Sequence, residues 1–348
     1  MSDLPTTMPA AVYRGQGEIV LEDRSVPTLG PDQILVEVAR CGICGTDIHL
    51  MLEGMGRSGS VEGHEWSGVI VAVGADVREW AIGDAVVGGP SPRCRHCRRC
   101  LEGKPSQCQN RKGSVMDASE GAFARYIRAN AAAVRRVPPG LSLREAALAE
   151  PLAVALHGIT RSGVTKGDTV MVFGAGPIGA LTLAALKAKG VGPITVIEPG
   201  LKRRQLAHDL GADEVLDPSA LEHFEILDAE RLAARACDVV LECSGHGAAI
   251  EAGFDQVARG GTLVLVGSGI DQPTLNPLRM ILNEVTVCGS FLYDADGIDD
   301  ALALLASGSL PTELLIEPAD VPLGQLMDAL RDLSSGPLAG KAMVAPGT

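Results

Sequence analysis

The sequence predicts an α/β chain of two domains: a doubly wound parallel sheet and a β-rich partner. Three observations point there. The chain has 348 residues, more than one hydrophobic core normally organises. Before about residue 160, short apolar runs are broken by Gly and Pro. From about Thr165 onward, apolar runs alternate with helix-forming stretches, the pattern of parallel strands covered by helices on both faces.

Taken in order, residues 34–38, 67–73 and 84–87 read as strands, with Gly30-Pro31 and Gly88-Gly89-Pro90 as breaks between elements. A short apolar strand is expected at 169–173 and a helix at 180–189. A second strand at 194–197 and a helix at 202–210 repeat the unit. Strands at 239–241 and 262–266 continue the sheet, and a helix at 298–305 precedes a short tail. The expected domains are 1–160, 161–295, and 296–348 returning to the first.

Composition narrows the class. Hydrophobic residues make up 46% and charged residues 21%, ordinary for a globular chain. Aromatics are 3%, so Val, Leu, Ile and Ala must build the core. The net charge of −13 opposes binding to nucleic acid and to anionic membrane surfaces. No run approaches the ~20 apolar residues needed to span a bilayer. The first residues lack a basic segment followed by an apolar one, so the expected location is the cytoplasm.

Four of the nine cysteines form Cys94-x2-Cys97-x2-Cys100-x7-Cys108. Without a secretory signal, such clustering favours metal over disulfides. Four thiolates can close a tetrahedral shell around Zn²⁺ and leave no position open for substrate, so this is expected to be a structural zinc site. The lobe is basic: Arg93, Arg95, Arg98, Arg99, Lys104, Arg111 and Lys112 against Glu102. It has no aromatic residues on which bases could stack, which argues against a nucleic-acid ribbon.

A second donor set lies upstream, where Cys41-Gly42-Ile43-Cys44-Gly45-Thr46-Asp47-Ile48-His49 is followed by Gly63-His64-Glu65. One Cys, one His and one carboxylate are the donor types of a catalytic zinc with an open position. Zinc there lowers the pKa of a bound oxygen by Lewis acidity.

The apolar strand before Gly174-Ala175-Gly176-Pro177-Ile178-Gly179 runs into a helix, the context in which G-x-G-x-x-G indicates a dinucleotide site. Gly174 suits the tight turn, Gly176 the approach of a pyrophosphate, and Gly179 close packing of helix on strand. The helix N-terminus attracts the phosphates, and Pro177 suits a first turn. Glu198, nineteen residues after Gly179, ends the next strand. An acid there accepts hydrogen bonds from the ribose hydroxyls and repels a 2′-phosphate, which favours NAD over NADP. Lys202-Arg203-Arg204 just downstream is the opposing signal.

The Gly-Ile-Cys-Gly-Thr-Asp-x-His segment, the Gly-His-Glu segment and the four-cysteine lobe occur in that order. Together they resemble the zinc-containing medium-chain dehydrogenase/reductase family, nearest the sorbitol-type polyol and threonine dehydrogenase branch. The resemblance runs from about Pro5 to the C-terminus. It implies a GroES-like catalytic domain, a Rossmann cofactor domain, and hydride transfer between a secondary alcohol or polyol and NAD. Cys44, rather than Cys41, and His64 would be catalytic zinc ligands. Glu65 would bind the metal or exchange with water, and Glu150 would lie close as a ligand or through a water. Thr46 and His49 would relay the alcohol proton. Asp47 would orient the ligands. A basic residue near Arg203 would pack by the adenine. Two zincs per chain and a homodimer or homotetramer are implied, the latter through the strand at 285–288. His157 is read as packing at the domain junction.

Two other readings compete. A zinc-free quinone or enoyl reductase on the same fold would lack Cys44, His64 and the cysteine lobe. A nucleic-acid-binding or scaffold protein would use the basic lobe. The substrate is not named by the sequence; the segment 50–60, with Met51, Leu52 and Met55, leans apolar.

Overall fold

Two large sheets carry the fold, as seen in a computed structural model that describes residues 4–90, 93–110, 120–221 and 235–347. Arg111, Lys112 and His223 lie outside these residues. The N-terminal part begins with a hairpin, β1 (Thr7–Gly15) and β2 (Glu18–Ser25). It continues with β3 (Gln33–Gly42), β4 (Glu65–Val73), β5 (Ala85–Gly88), β6 (Tyr126–Asn130) and β7 (Arg135–Arg136). Then come β8 (Val170–Phe173), β9 (Ile194–Ile197), β10 (Glu214–Leu216), β11 (Cys237–Glu242), β12 (Val257–Leu265) and β13 (Thr286–Gly289), followed by β14 (Val321–Pro322) and β15 (Met343–Ala345).

The second sheet is parallel throughout, in the order β10-β9-β8-β11-β12-β13. Its strands are short, and all four residues of β8 are buried. A strand covered on both faces needs no polar alternation, which is why this run was readable as continuous apolar sequence. Numbered within the domain, the order is 3-2-1-4-5-6, with the topological switch between β8 and β11, where ligands bind beyond the strand ends.

The first sheet is mixed, in the order β14-β15-β3-β4-β5-β7, with β6 also paired to β3. Its C-terminal members matter for function. Met343 stands opposite Gly42 and Val344 opposite Cys41, so the last strand lies against the end of β3.

The helix Ala149–Ser162 links the two halves. Leu152, Leu156 and Ile159 share one core with Val172 of β8, Leu241 of β11, and Leu302 and Leu305 of the helix Gly297–Ala306. Burying each such side chain is worth about 1.5–3 kcal/mol. Gly163, in the left-handed region at φ 70°, ends the helix. The helices expected at 180–189 and 202–210 are Pro177–Ala188 and Leu201–Asp209. The β1–β2 hairpin had no counterpart in the sequence reading; Val20 and Leu21 of β2 are exposed, which blurs its alternation.

Candidate active site

Strand register brings the upstream donor set together. Gly42 pairs with Glu65 at the junction of β3 and β4, so Cys44, just past β3, faces His64, just before β4. One ligand atom from each of Cys44, His64 and Glu65 lies within 4.8 Å of the others. Cys44 caps the helix Gly45–Met51, and its N–H donates to Asp47 Oδ2 at 2.9 Å. A Cβ at Gly42 would stand 2.2 Å from Glu65 Oε2, so a larger residue there would push the Glu65 carboxylate aside.

Asp47 is wholly buried. Among the described residues its Oδ1 has no hydrogen-bond partner, and it lies 3.9 Å from His64 Nδ1. Burial raises the Asp47 carboxyl to about 6, against the pull of His64. Burial also disfavours a charged His64, but the neighbouring Cys44, Asp47 and Glu150 charges outweigh it and raise the imidazole well above its ordinary value. These groups together favour a positive charge at the point where Cys44 and His64 meet. A sulfur, a nitrogen and an oxygen donor converging there fit a zinc ion.

Sequence reasoning missed Lys341. Its Nζ donates to Glu65 Oε1 at 2.8 Å and to the Ile43 carbonyl at 3.0 Å. Burial opposes its charge, yet Glu65 beside it holds the ammonium pKa above its ordinary value. The sequence signal was a lone cation in the apolar tail Ala339-Gly340-Lys341-Ala342-Met343. Glu65 therefore belongs both to the converging donor set and to a buried ion pair.

Glu150 is buried on the first turn of its helix and packs on the Gly89 backbone, where a Cβ would meet Glu150 Cγ at 2.5 Å. It is not among the three residues whose ligand atoms converge. Burial pushes its carboxyl up to about 8, with His64 opposing. His157, on the same helix, lies 3.8 Å from Asp294 Oδ2.

Thr46 Oγ1 lies 3.6 Å from Cys44 Sγ. His49 bridges two segments: Nδ1 is 2.7 Å from Glu53 Oε2, and Nε2 is 2.6 Å from the Ser268 carbonyl beyond β12. Within the segment 50–60, Leu50 and Met51 are buried in the N-terminal core, and Met55 is exposed.

In the four-cysteine lobe, ligand atoms of Cys94, Cys97, Cys100 and Cys108 all lie within 4.8 Å of one another. Backbone N–H groups point at the sulfurs: Cys97 to Cys94 Sγ and Cys94 to Cys108 Sγ, both at 3.3 Å, and Gln109 to Cys97 Sγ at 3.5 Å. Backbone donors at Cys100 and Gln109 hold the Cys97 thiol down at about 6. A thiolate-stabilising cage of this kind fits tetrahedral zinc. Arg98 and Arg99 are paired with Glu102.

At the cofactor sheet, Gly174 adopts φ +85°. A Cβ on Gly179 would come within 1.8 Å of the Gly174 carbonyl, so helix and strand approach closely. Gly176 caps the helix Pro177–Ala188, with Pro177 and Ile178 in its first turn. Glu198 is buried and accepts from Ala175 N–H at 2.7 Å and from Gly200 N–H at 2.8 Å. Arg203 lies beside Gly176 and donates to the Leu333 and Leu338 carbonyls. Arg204 is paired with Asp217 at 2.6 Å.

Comparison with known proteins bears on the family and the fold. Residues 30–139 match the alcohol dehydrogenase GroES-like domain, and residues 177–307 match the zinc-binding dehydrogenase family. The chain is 33% identical over 336 residues to a sorbitol dehydrogenase of Bacillus subtilis, covering 94% of each. A zinc-binding dehydrogenase structure from Sinorhizobium meliloti 1021, bound to NADP, superposes with TM-score 0.86 at 30% identity, covering 98% of this chain and 100% of that one. 2R,3R-butanediol dehydrogenase from Bacillus subtilis does so with TM-score 0.86 at 27% identity, covering 97% and 99%. Among the described residues, no helix is long and apolar enough to cross a membrane. The converging Cys44–His64–Glu65 donors, the glycine loop at the switch point and these matches lead to one conclusion: the chain belongs to the zinc-dependent medium-chain dehydrogenase/reductase family and is an oxidoreductase acting on the CH–OH group of a small alcohol with NAD(P).

Proposed function

We propose that this enzyme is a two-zinc, NAD-preferring dehydrogenase of polyols or vicinal diols, working at Cys44, His64, Glu65 and Glu150. The observation that carries the reading is the meeting of Cys44, His64 and Glu65 at the β3–β4 junction. Zinc held there would polarise the substrate oxygen as a Lewis acid. The chain's own residues do the rest. Asp47 orients the Cys44 backbone and faces His64. Lys341 holds the Glu65 carboxylate in place. Thr46 Oγ1 and His49 move the hydroxyl proton away from the reacting carbon, since hydride loss requires its removal. The four-cysteine lobe would hold the second, structural zinc.

Three features support NAD. The Glu198 carboxylate sits at the glycine loop, the Arg204 charge is engaged by Asp217, and two Arg203 nitrogens are committed to backbone carbonyls. The relatives' substrates, sorbitol and 2R,3R-butanediol, support adjacent hydroxyls as the substrate class. The reading includes a homodimer or homotetramer built on the outer edge of β13, beside which Ile281 (71% exposed), Leu282 and Phe291 are bare. It also places the enzyme in the reducing cytoplasm, consistent with nine cysteines that form no disulfide.

Zinc content together with NAD and NADP reduction over a polyol panel tests the proposal. Two zincs per chain are expected, with NAD-linked turnover that Cys44→Ser abolishes along with one zinc. Undiminished turnover in Cys44→Ser would overturn it.

A further inference from the structure

The surroundings of His49 hold one proton too many for a neutral ring. A neutral imidazole has one N–H and one acceptor nitrogen. Both His49 nitrogens face acceptors: Nε2 meets the Ser268 carbonyl at 2.6 Å, and Nδ1 meets Glu53 Oε2 at 2.7 Å. A carbonyl only accepts, so Nε2 carries a hydrogen. The second contact is then made only if Nδ1 or Glu53 carries another. The trio therefore stores a proton beyond a neutral imidazole and a free carboxylate.

The arrangement also has a direction. Nε2 faces the cofactor sheet, at the loop after β12. Glu53 lies one helical turn beyond His49, and its N–H bonds to the Ile48 carbonyl at 3.2 Å. The Glu53 side chain is 42% exposed against 21% for His49, so it is the end that reaches water.

We propose that Glu53 is a positioning residue for the dehydrogenation. It turns Nε2 of His49 toward the cofactor side and takes the Nδ1 proton onward to solvent. Once the stored proton has left through Glu53 and the ring, as its Nδ1–H tautomer, has let go of the Ser268 carbonyl, the Nε2 lone pair accepts the alcohol proton. The Nδ1–H bond then breaks, its electron pair stays on Nδ1, and a hydrogen forms on Glu53 Oε2. Glu53 then releases that proton to water or to a buffer base. No electron moves, and the proton is the one that alcohol oxidation must liberate. This rests on the reading that His49 accepts the alcohol proton.

The test follows proton release in the first turnover of the zinc-loaded enzyme with a pH-indicator dye, alongside NADH formation, while formate or imidazole is varied. Glu53→Gln keeps an acceptor for Nδ1–H but cannot take the proton. It should release the proton about tenfold more slowly at low buffer, with KM for the alcohol little changed, and recover as buffer is raised. Glu53→Ala should recover further, because the small base can enter the vacated space. Wild-type proton release in Glu53→Gln, with His49→Gln impaired, would overturn the role of Glu53 alone. Slow release that no buffer restores would also overturn it, leaving Glu53 a purely structural partner. If His49→Gln is unimpaired as well, the His49 reading fails with it.

Discussion

Lys341 Nζ lies 2.8 Å from Glu65 Oε1, and both side chains are almost completely withdrawn from solvent. A buried pair stabilises little overall, but removing one partner strands the other charge. Lys341→Met should cost about 3–5 kcal/mol in urea unfolding. Adding Glu65→Gln should return much of that loss. A cost below about 1 kcal/mol would mean that the pair is not formed in solution.

The cysteine lobe should matter to folding and assembly more than to chemistry. Cys100→Ala is expected to lose one zinc per chain and lower the thermal midpoint, while the folded fraction retains its kcat. Unchanged stability with lost activity would contradict a structural zinc there.

Cofactor preference should depend on Glu198. Glu198→Ala removes the acceptor for two loop N–H groups and the charge that repels a 2′-phosphate. The NAD:NADP ratio of kcat/KM should fall about tenfold or more, equivalent to at least about 1.4 kcal/mol. An equal loss with both cofactors would show that Glu198 shapes the loop without reading the ribose.

Asp320 gives a pH-dependent contribution to stability. Burial opposes its ionisation, but hydrogen bonds from Arg144 and Arg40 outweigh this and hold the carboxyl below its ordinary value. As pH falls below about 4, the unfolded chain takes up the Asp320 proton before the folded one does. The contribution is therefore full near neutrality and lost as pH falls through the folded-state value. Asp320→Asn should cost about 1–2 kcal/mol at pH 7 and progressively less in acid. A cost that does not vary with pH would exclude the ion pairs as its source.

What could be read from the sequence was local. Cys94, Cys97, Cys100 and Cys108 fall within fifteen residues, so chain connectivity keeps their sulfurs near one another. Gly174, Gly176 and Gly179 sit between a strand and a helix that their own patterns announce. The fully buried β8 was visible because a parallel strand needs no polar face. The relation of Cys44 to His64 was legible only through family resemblance, since spacing alone does not set a strand register.

Tertiary structure decided the contacts between distant segments. Lys341 reaches Glu65 across 276 positions because β15 pairs with the end of β3, and His49 meets Ser268 across 219 because its helix reaches the loop after β12. The sequence determined which elements form and which donors cluster, through short-range spacing and burial pattern. The structure alone decided which buried charge neutralises Glu65 and which acceptors surround His49, because these follow from sheet register and domain packing, which no local pattern encodes.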